Sequence, residues 1–197
     1  NKIYEIIEIK MNAIIIAAGS GKRISKEVKN IPKSMVKING KSIIEYQLKV
    51  LKQAGIDKIY VITGPYSDKF NLDDVKYVKD QNYANHDILG SLMEAKKYLK
   101  NDILVLYSDI IFDSKIIQQI LCSKKNISIA IDMNWEKMYE GRTDHHMSEA
   151  ENIQLDKMNK IVEIRKNIQN KNKRVGEFLG IIKFSLNGAE LFVKKYE

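Results

Sequence analysis

The residues of this chain best suited to chemistry gather just after an apolar run. "AAGSGKR" (17–23) follows Ala13-Ile14-Ile15-Ile16 and sets Gly19 and Gly21 on either side of Ser20, with Arg23 close behind. Glycines lack Cβ atoms, so the backbone at such a turn can approach an anion closely. Arg23 adds a planar guanidinium fork that matches phosphate oxygens. Further on, "IPKSM" (31–35) places Lys33, a compact mobile charge, directly after Pro32, whose ring presets the backbone. A third group is Asp109, near the end of "DILVLYSDI" (102–110). Sheets in α/β proteins bind ligands at the carboxyl ends of their strands, and a carboxylate there offers hard oxygens to a magnesium ion. Asp109 would also serve as a turn residue or helix N-cap, and the residues alone leave both readings open.

Two familiar phosphate loops do not fit "AAGSGKR". The nucleotide-hydrolase loop needs a glycine, four residues and then Gly-Lys-Ser/Thr, whereas here a single serine separates the glycines. The dinucleotide fingerprint needs a third glycine where this chain has Ile24. It also needs an acidic residue at the end of the next strand, where this chain begins a helix near Ser42. A strand feeding a Gly-x-Gly turn, backed by Arg23 and Lys33, remains as a site for nucleotide phosphates.

The elements that must hold these groups follow from hydrophobic periodicity. Residues 12–17 read as a buried strand. Ser42 to Ala54 reads as a helix, with Ile43, Ile44, Leu48 and Leu51 at helical spacing and Gly55 as its C-terminal cap. Strands are expected at 58–64, 75–80, 102–110 and 127–133, and helices at 89–99 and 114–121. This alternation predicts an α/β fold, a Rossmann-like three-layer sandwich with a mixed, mostly parallel sheet. The mixture comes from "IQLD" (153–156), "KIVEIRK" (160–166) and "FLGIIKFS" (178–185), which read as strands and hairpins without intervening helices. "NGAELFVKKYE" (187–197) begins a final helix.

Composition narrows the partners. With 197 residues and 44% hydrophobic content the chain can bury a sizeable core as one domain. Its net charge of +8 reads as a lysine-rich solvated surface, because the densest basic stretch, "KNKR" (171–174), has no interleaved aromatics. No nucleic-acid partner is expected. No apolar run approaches the length that spans a bilayer, so no membrane partner is expected either. Cys122 is the single cysteine, which rules out an internal disulfide and suits a reducing cytoplasm. Residues 1–10 precede Met11 and read as a linker or the tail of an upstream domain in the same polypeptide.

With these residues in view, 11–64 resembles the opening of the nucleotidyltransferases that activate sugar phosphates and alcohol phosphates with nucleoside triphosphates. "AAGSGKR", "PKSM" and "INGKSIIEYQLKVLKQAGIDKIYVITG" carry that resemblance. "DQNYANHDILGSLMEA" and "YSDI" are similar to the phosphocholine cytidylyltransferase branch. "YEGRTDHHMSEAE" and "GEFLGIIKFS" resemble its relatives in phosphonate synthesis, including those acting on 2-aminoethylphosphonate. The resemblance implies that Ala17, Ala18 and Gly19 present backbone groups to base and ribose, and that Ser20, Gly21 and Arg23 cradle the triphosphate. Lys33 would neutralise charge building between the α and β phosphates. Asn85 and Ser91 would help hold the nucleoside, and Asp109 would bind Mg2+. On the acceptor side, Arg142 would pair with a phosphate or phosphonate, or else form a structural ion pair. Glu149 and Glu177 would contact an acceptor ammonium or shape the pocket. Trp135, with Tyr139, would wall a cation site or simply pack.

The implied enzyme is a Mg-dependent cytidylyltransferase that moves CMP from CTP to a small phosphonate or phosphocholine-like acceptor and releases pyrophosphate. A sugar-1-phosphate nucleotidyltransferase and a non-catalytic nucleotide-binding domain of a larger chain are the alternatives. Nucleotidyl transfer is an in-line displacement, so the protein's task is to position two anions and neutralise them. Relatives of this kind carry a second acidic metal ligand beyond the helix that follows "GEFLGI". No carboxylate fills that role before Glu197, so 11–197 is expected to be a C-terminally truncated nucleotidyltransferase domain.

Overall fold

The computed structural model describes residues 11–19, 31–143, 146–168 and 174–197. In chain order the elements are β1 (Met11–Ala17), β2 (Lys37–Ile38), β3 (Lys41–Ser42), α1 (Ile43–Gln53), β4 (Lys58–Thr63), β5 (Val75–Lys79), α2 (Ile88–Glu94), β6 (Asp102–Tyr107), α3 (Ser114–Leu121), β7 (Ile127–Asp132), β8 (Glu151–Leu155), β9 (Ile161–Lys166), β10 (Arg174–Phe184) and α4 (Leu186–Tyr196). Eight strands join in a mixed sheet of order β5-β4-β1-β6-β10-β8-β9, with β7 also paired to β10, and β2 and β3 form a small hairpin of their own. Pairing is parallel across β5-β4-β1-β6 and antiparallel across β10-β8-β9. This is the mixed α/β sheet that the alternating pattern predicts. The chain divides into two compact units, one ending at Ser128 and resuming at Ile182, the other Ile129–Ile181.

In the first unit, strand geometry sends successive side chains to opposite faces. Ile14, Tyr60, Ile62, Ile103 and Val105 share one buried cluster with Leu92 of α2, Phe184 and Ala189 of α4. Their neighbours Ala13, Ile15, Val61, Leu104 and Leu106 are just as buried and face the other way. Helices α1 and α3 pack on each other and bury Ile44, Leu48, Leu51, Ile117 and Ile120 outside that cluster, which makes them the third layer. The start of α1 is fixed by a capping box: the Ser42 hydroxyl and N–H both donate to Glu45 Oε2, at 2.6 and 2.7 Å. These hydrogen bonds hold the Glu45 carboxyl below its ordinary value. Its end is a Schellman turn, in which Ile56 N–H donates to the Leu51 carbonyl and Gly55 N–H to that of Lys52. Gly55 takes the left-handed conformation (φ 78°) that this motif requires.

Two expected elements come out shorter. The helix expected at 89–99 is α2 followed by a separate turn at Lys96–Tyr98, because the N–H groups of Ala95, Tyr98 and Leu99 bond the carbonyl three residues back. Tyr98 stacks on Tyr60 with ring centroids 3.9 Å apart. The strand expected at 102–110 ends at Tyr107, so Asp109 lies on the turn beyond it and not on the strand.

The second unit is built on the β8-β9 hairpin and β10. Asp156 ties its turn, with Oδ1 accepting from the N–H groups of Met158 and Lys160 at 2.8 Å each. Trp135, Tyr139, Ala150 and Val175 form a small apolar cluster of their own. Gly176 is required there, since a Cβ would lie 2.2 Å from Ile131 Cγ2.

Candidate functional site

The carboxyl ends of the parallel strands converge on the exit of β1. Ala17 is opposite Thr63 of β4, and Ile16 is opposite Tyr107 of β6. Gly64, just past β4, comes so near that a Cβ on it would be 2.2 Å from the Ala18 carbonyl oxygen. A side chain at 64 would therefore push the two backbones apart, and its absence fixes Ala18 and Gly19 against β4. Ser20, Gly21 and Arg23 lie outside the described residues.

On the other side of β1, Gln47 holds the turn that carries Asp109. It lies on the buried stripe of α1, and its Nε2 donates to the carbonyls of Tyr107 (2.9 Å) and Ile110 (2.7 Å), one on each side of Asp109. Asp109 Oδ2 accepts from Lys33 Nζ at 3.2 Å. Lys33 opens a single 3-10 turn after Pro32 (φ −56°), closed by Met35 N–H donating to the Pro32 carbonyl at 2.8 Å. That turn packs on α1, and Ile43 N–H donates to the Val36 carbonyl at 3.1 Å. Gln47 and Lys33 are thus both set by the same helix.

The Lys33–Asp109 pair leaves both side chains 39% exposed. An ion pair in such contact with water contributes about 0–1 kcal/mol, so either partner exchanges readily for a more highly charged one.

Asn85 and Ser91 belong to a hydrogen-bonded network around Asp80. The Ser91 hydroxyl donates to Asp80 Oδ2 at 2.7 Å, and Asn85 Nδ2 donates to Asn82 Oδ1 at 2.6 Å. Asp80, His86 and Glu94 offer ligand atoms within 4.8 Å of one another, the one such group of three among the described residues. Both Asp80 oxygens are already hydrogen bonded, to Asn82 N–H, His86 Nδ1 and Ser91.

The expected acceptor residues all lie in the second unit. Trp135 is buried, its indole N–H donating to the Val175 carbonyl at 3.3 Å and its ring edge-on to Tyr139. The Tyr139 hydroxyl donates to Glu177 Oε1, and the Arg142 guanidinium stacks over the Tyr139 ring, 4.5 Å from its centroid. Burial first, then the Glu177 carboxylate, pushes the Tyr139 hydroxyl up to about 12, so it remains a donor. Glu149 closes a 3-10 turn at Met147–Glu149, and its charge is felt at Tyr139. Arg142, Glu177, Tyr139 and Trp135 are thereby brought together as one group.

Sequence reading passed over Gln47, Gly64, Asp80 and His86. Gln47 carried a signal: at 44, 47, 48 and 51 it is a polar residue on an otherwise apolar stripe. Gly64 and Asp80, each following a strand, carried none that separates them from ordinary turn residues.

The fold is that of an α/β protein, a mixed sheet whose central strand exits between a backbone-clasping glycine and a Lys–Asp pair. The chain belongs to the MobA-like NTP transferase domain family, whose model matches residues 13–138, and it is a nucleotidyltransferase. It is 28% identical to CTP:phosphoglutamine cytidylyltransferase of Campylobacter jejuni, over 95% of this chain and 78% of that protein. It is 37% identical to choline-phosphate cytidylyltransferase of Streptococcus pneumoniae, over 48% of this chain and 43% of that protein. Among solved structures, the inositol-1-phosphate CTP transferase from T. maritima shares the fold, with a TM-score of 0.71 and 17% identity over 91% of this chain and 72% of that one.

Proposed function

We propose that this chain transfers CMP from CTP to a small acceptor bearing a phosphate or phosphonate, with Mg2+ as its metal and pyrophosphate as the second product. The Lys33–Asp109 pair carries the reading: a cation and a carboxylate held at the strand ends, half-exposed and exchangeable, in a chain of the NTP transferase family. The choice of CTP is supported by the relatives named for that nucleotide.

Asp109 fits Mg2+. It offers hard oxygen at the strand end and already holds a cation, the Lys33 ammonium, against Oδ2. When bound, the metal would neutralise charge on the triphosphate oxygens. The acceptor oxygen attacks the α-phosphorus of CTP, the bond to the bridging oxygen breaks, and pyrophosphate leaves with the electron pair. Lys33 neutralises the charge that builds on that leaving oxygen. Ala17, Ala18 and Gly19 offer backbone groups to base and ribose, while Ser20, Gly21 and Arg23 cradle the phosphates. In the second unit, Arg142 meets the acceptor's anion, and Glu177 and Glu149 meet an ammonium if the acceptor carries one, with Trp135 packed behind Tyr139. A cytoplasmic setting fits a chain with one cysteine.

The test is pyrophosphate release by the purified chain with CTP, UTP, GTP or dTTP, against phosphocholine, 2-aminoethylphosphonate, amino-acid phosphates and sugar 1-phosphates. Release that requires CTP and one non-sugar acceptor is expected. Release with UTP or dTTP and a sugar 1-phosphate would reassign the enzyme to the sugar branch.

A further inference from the structure

We infer that Asp80 and His86 form a positioning clamp that aims the Asn85 carboxamide, and that this aim favours cytosine over uracil. The inference rests on the CTP reading and names the device by which that site would choose its base.

Asp80 is the first residue beyond β5 and is fully buried. Its N–H donates to the Thr63 carbonyl at 2.8 Å, and Thr63 is opposite Ala17, so Asp80 is tied to the strand ends that form the site. A buried carboxylate needs donors, and this one has them from three residues: Asn82 N–H (2.9 Å), Ser91 Oγ (2.7 Å) and His86 Nδ1 (3.0 and 3.1 Å). Ser91 therefore uses its hydroxyl inside the clamp. Gly90 makes room for the imidazole, since a Cβ there would lie 3.0 Å from His86 Cβ, Cγ and Cδ2. Asp87 fixes the same stretch by accepting from Gly90 N–H at 2.7 Å. Glu94 Oε1, 3.9 Å from Nδ1, is the other charged group facing the ring.

These contacts set a direction. A carboxylate only accepts, so His86 Nδ1 is the donor to Asp80, and the amide nitrogen that faces Nε2 makes that atom the acceptor. Asn82 Nδ2, 3.3 Å from Nε2, is then the donor, which leaves Asn82 Oδ1 to accept from Asn85 Nδ2 at 2.6 Å. One buried carboxylate thus determines the orientation of two exposed amides. The Asn85 carbonyl oxygen is the end of the relay, and it accepts no hydrogen bond among the described residues. An acceptor on this exposed side chain would meet the exocyclic amino group of cytosine favourably and the carbonyl oxygen at the same position of uracil unfavourably.

The experiment is calorimetric titration of the full chain with Mg-CTP and, separately, Mg-UTP, for wild type, His86→Asn and Asn85→Ala, with a melting curve for each. An asparagine at 86 can still reach Asp80 from the Nδ1 position but has no group at Nε2, so the fold is kept and the relay is cut. His86→Asn should melt close to wild type, bind Mg-CTP about 3- to 10-fold more weakly and leave Mg-UTP unchanged, the size of one net hydrogen bond. Asn85→Ala, on an exposed loop, should lower the CTP:UTP ratio by a similar factor. A clamp that only stabilised the loop would lower the melting temperature and leave that ratio alone. A wild-type preference for CTP that persists unchanged in both variants overturns this inference and leaves the CTP reading intact. A wild-type chain that binds no CTP overturns both.

Discussion

Replacing Lys33 with alanine separates what the Lys33–Asp109 contact does for the fold from what Lys33 does for the reaction. Both side chains are 39% exposed and meet at 3.2 Å, which places the pair among surface ion pairs worth about 0–1 kcal/mol. In a chain of 197 residues a loss of about 1 kcal/mol lowers the melting temperature by roughly 2–4 °C. The catalytic cost is of another size. A donor aimed at charge that develops only as pyrophosphate leaves is worth about 10²–10³ in turnover, or about 3–4 kcal/mol of transition-state stabilisation. Lys33→Ala should therefore lose two to three orders of magnitude, roughly, in kcat at saturating CTP, with a smaller rise in KM for CTP. Melting curves and steady-state pyrophosphate release on the same preparation read both quantities. A variant that melts normally and differs from wild type only in KM would refute the assignment of Lys33 to the leaving group. A fall in melting temperature far beyond a few degrees would refute the treatment of the pair as exchangeable.

Asp109→Asn should fold like wild type and lose activity at ordinary magnesium, with partial recovery at high magnesium; undiminished activity at ordinary magnesium excludes Asp109 as a ligand. Gly64→Ala forces a Cβ to 2.2 Å from the Ala18 carbonyl oxygen, so it should cost about 1–3 kcal/mol in urea unfolding and weaken CTP binding together, and an unchanged denaturation midpoint would contradict the close approach. Tyr139 has its folded value pushed up to about 12 against about 10 unfolded, so its contribution is fully present below pH 10 and is lost as pH rises through 12. Urea unfolding of wild type and Tyr139→Phe at pH 9 and pH 12 should show the wild-type advantage shrinking by about 2–3 kcal/mol, and an advantage that holds constant would mean that the hydroxyl is not buried against Glu177.

The layers were legible because their signals are local. Apolar runs at 13–16, 59–62 and 103–106 leave no alternative to buried strands, and the spacing of Ile44, Leu48 and Leu51 before Gly55 specifies α1 within a residue or two. What was not legible depends on strand register. Lys33 and Asp109 stand out singly as chemical candidates, but their meeting follows from β6 lying beside β1 and from Gln47 pinning the turn that carries Asp109. The shortened β6 follows from the same pinning, since the Tyr107 and Ile110 carbonyls turn toward Gln47 instead of a strand partner. Asp80 looked like the polar end of a short strand, because only its tertiary donors, His86 and Ser91, distinguish it. The sequence leaves two roles open for Trp135, and burial of its ring against Val175 shows packing on that face.

The most direct test of the central claim is phosphorus NMR of a reaction containing the chain, CTP, magnesium and the best acceptor from the panel. Transfer of CMP predicts that the α-phosphorus signal of CTP moves to a new two-phosphorus product coupled to the acceptor's own phosphorus, with free pyrophosphate appearing in equal amount. Appearance of CDP and orthophosphate, or CTP left intact beside an unchanged acceptor signal, would contradict it.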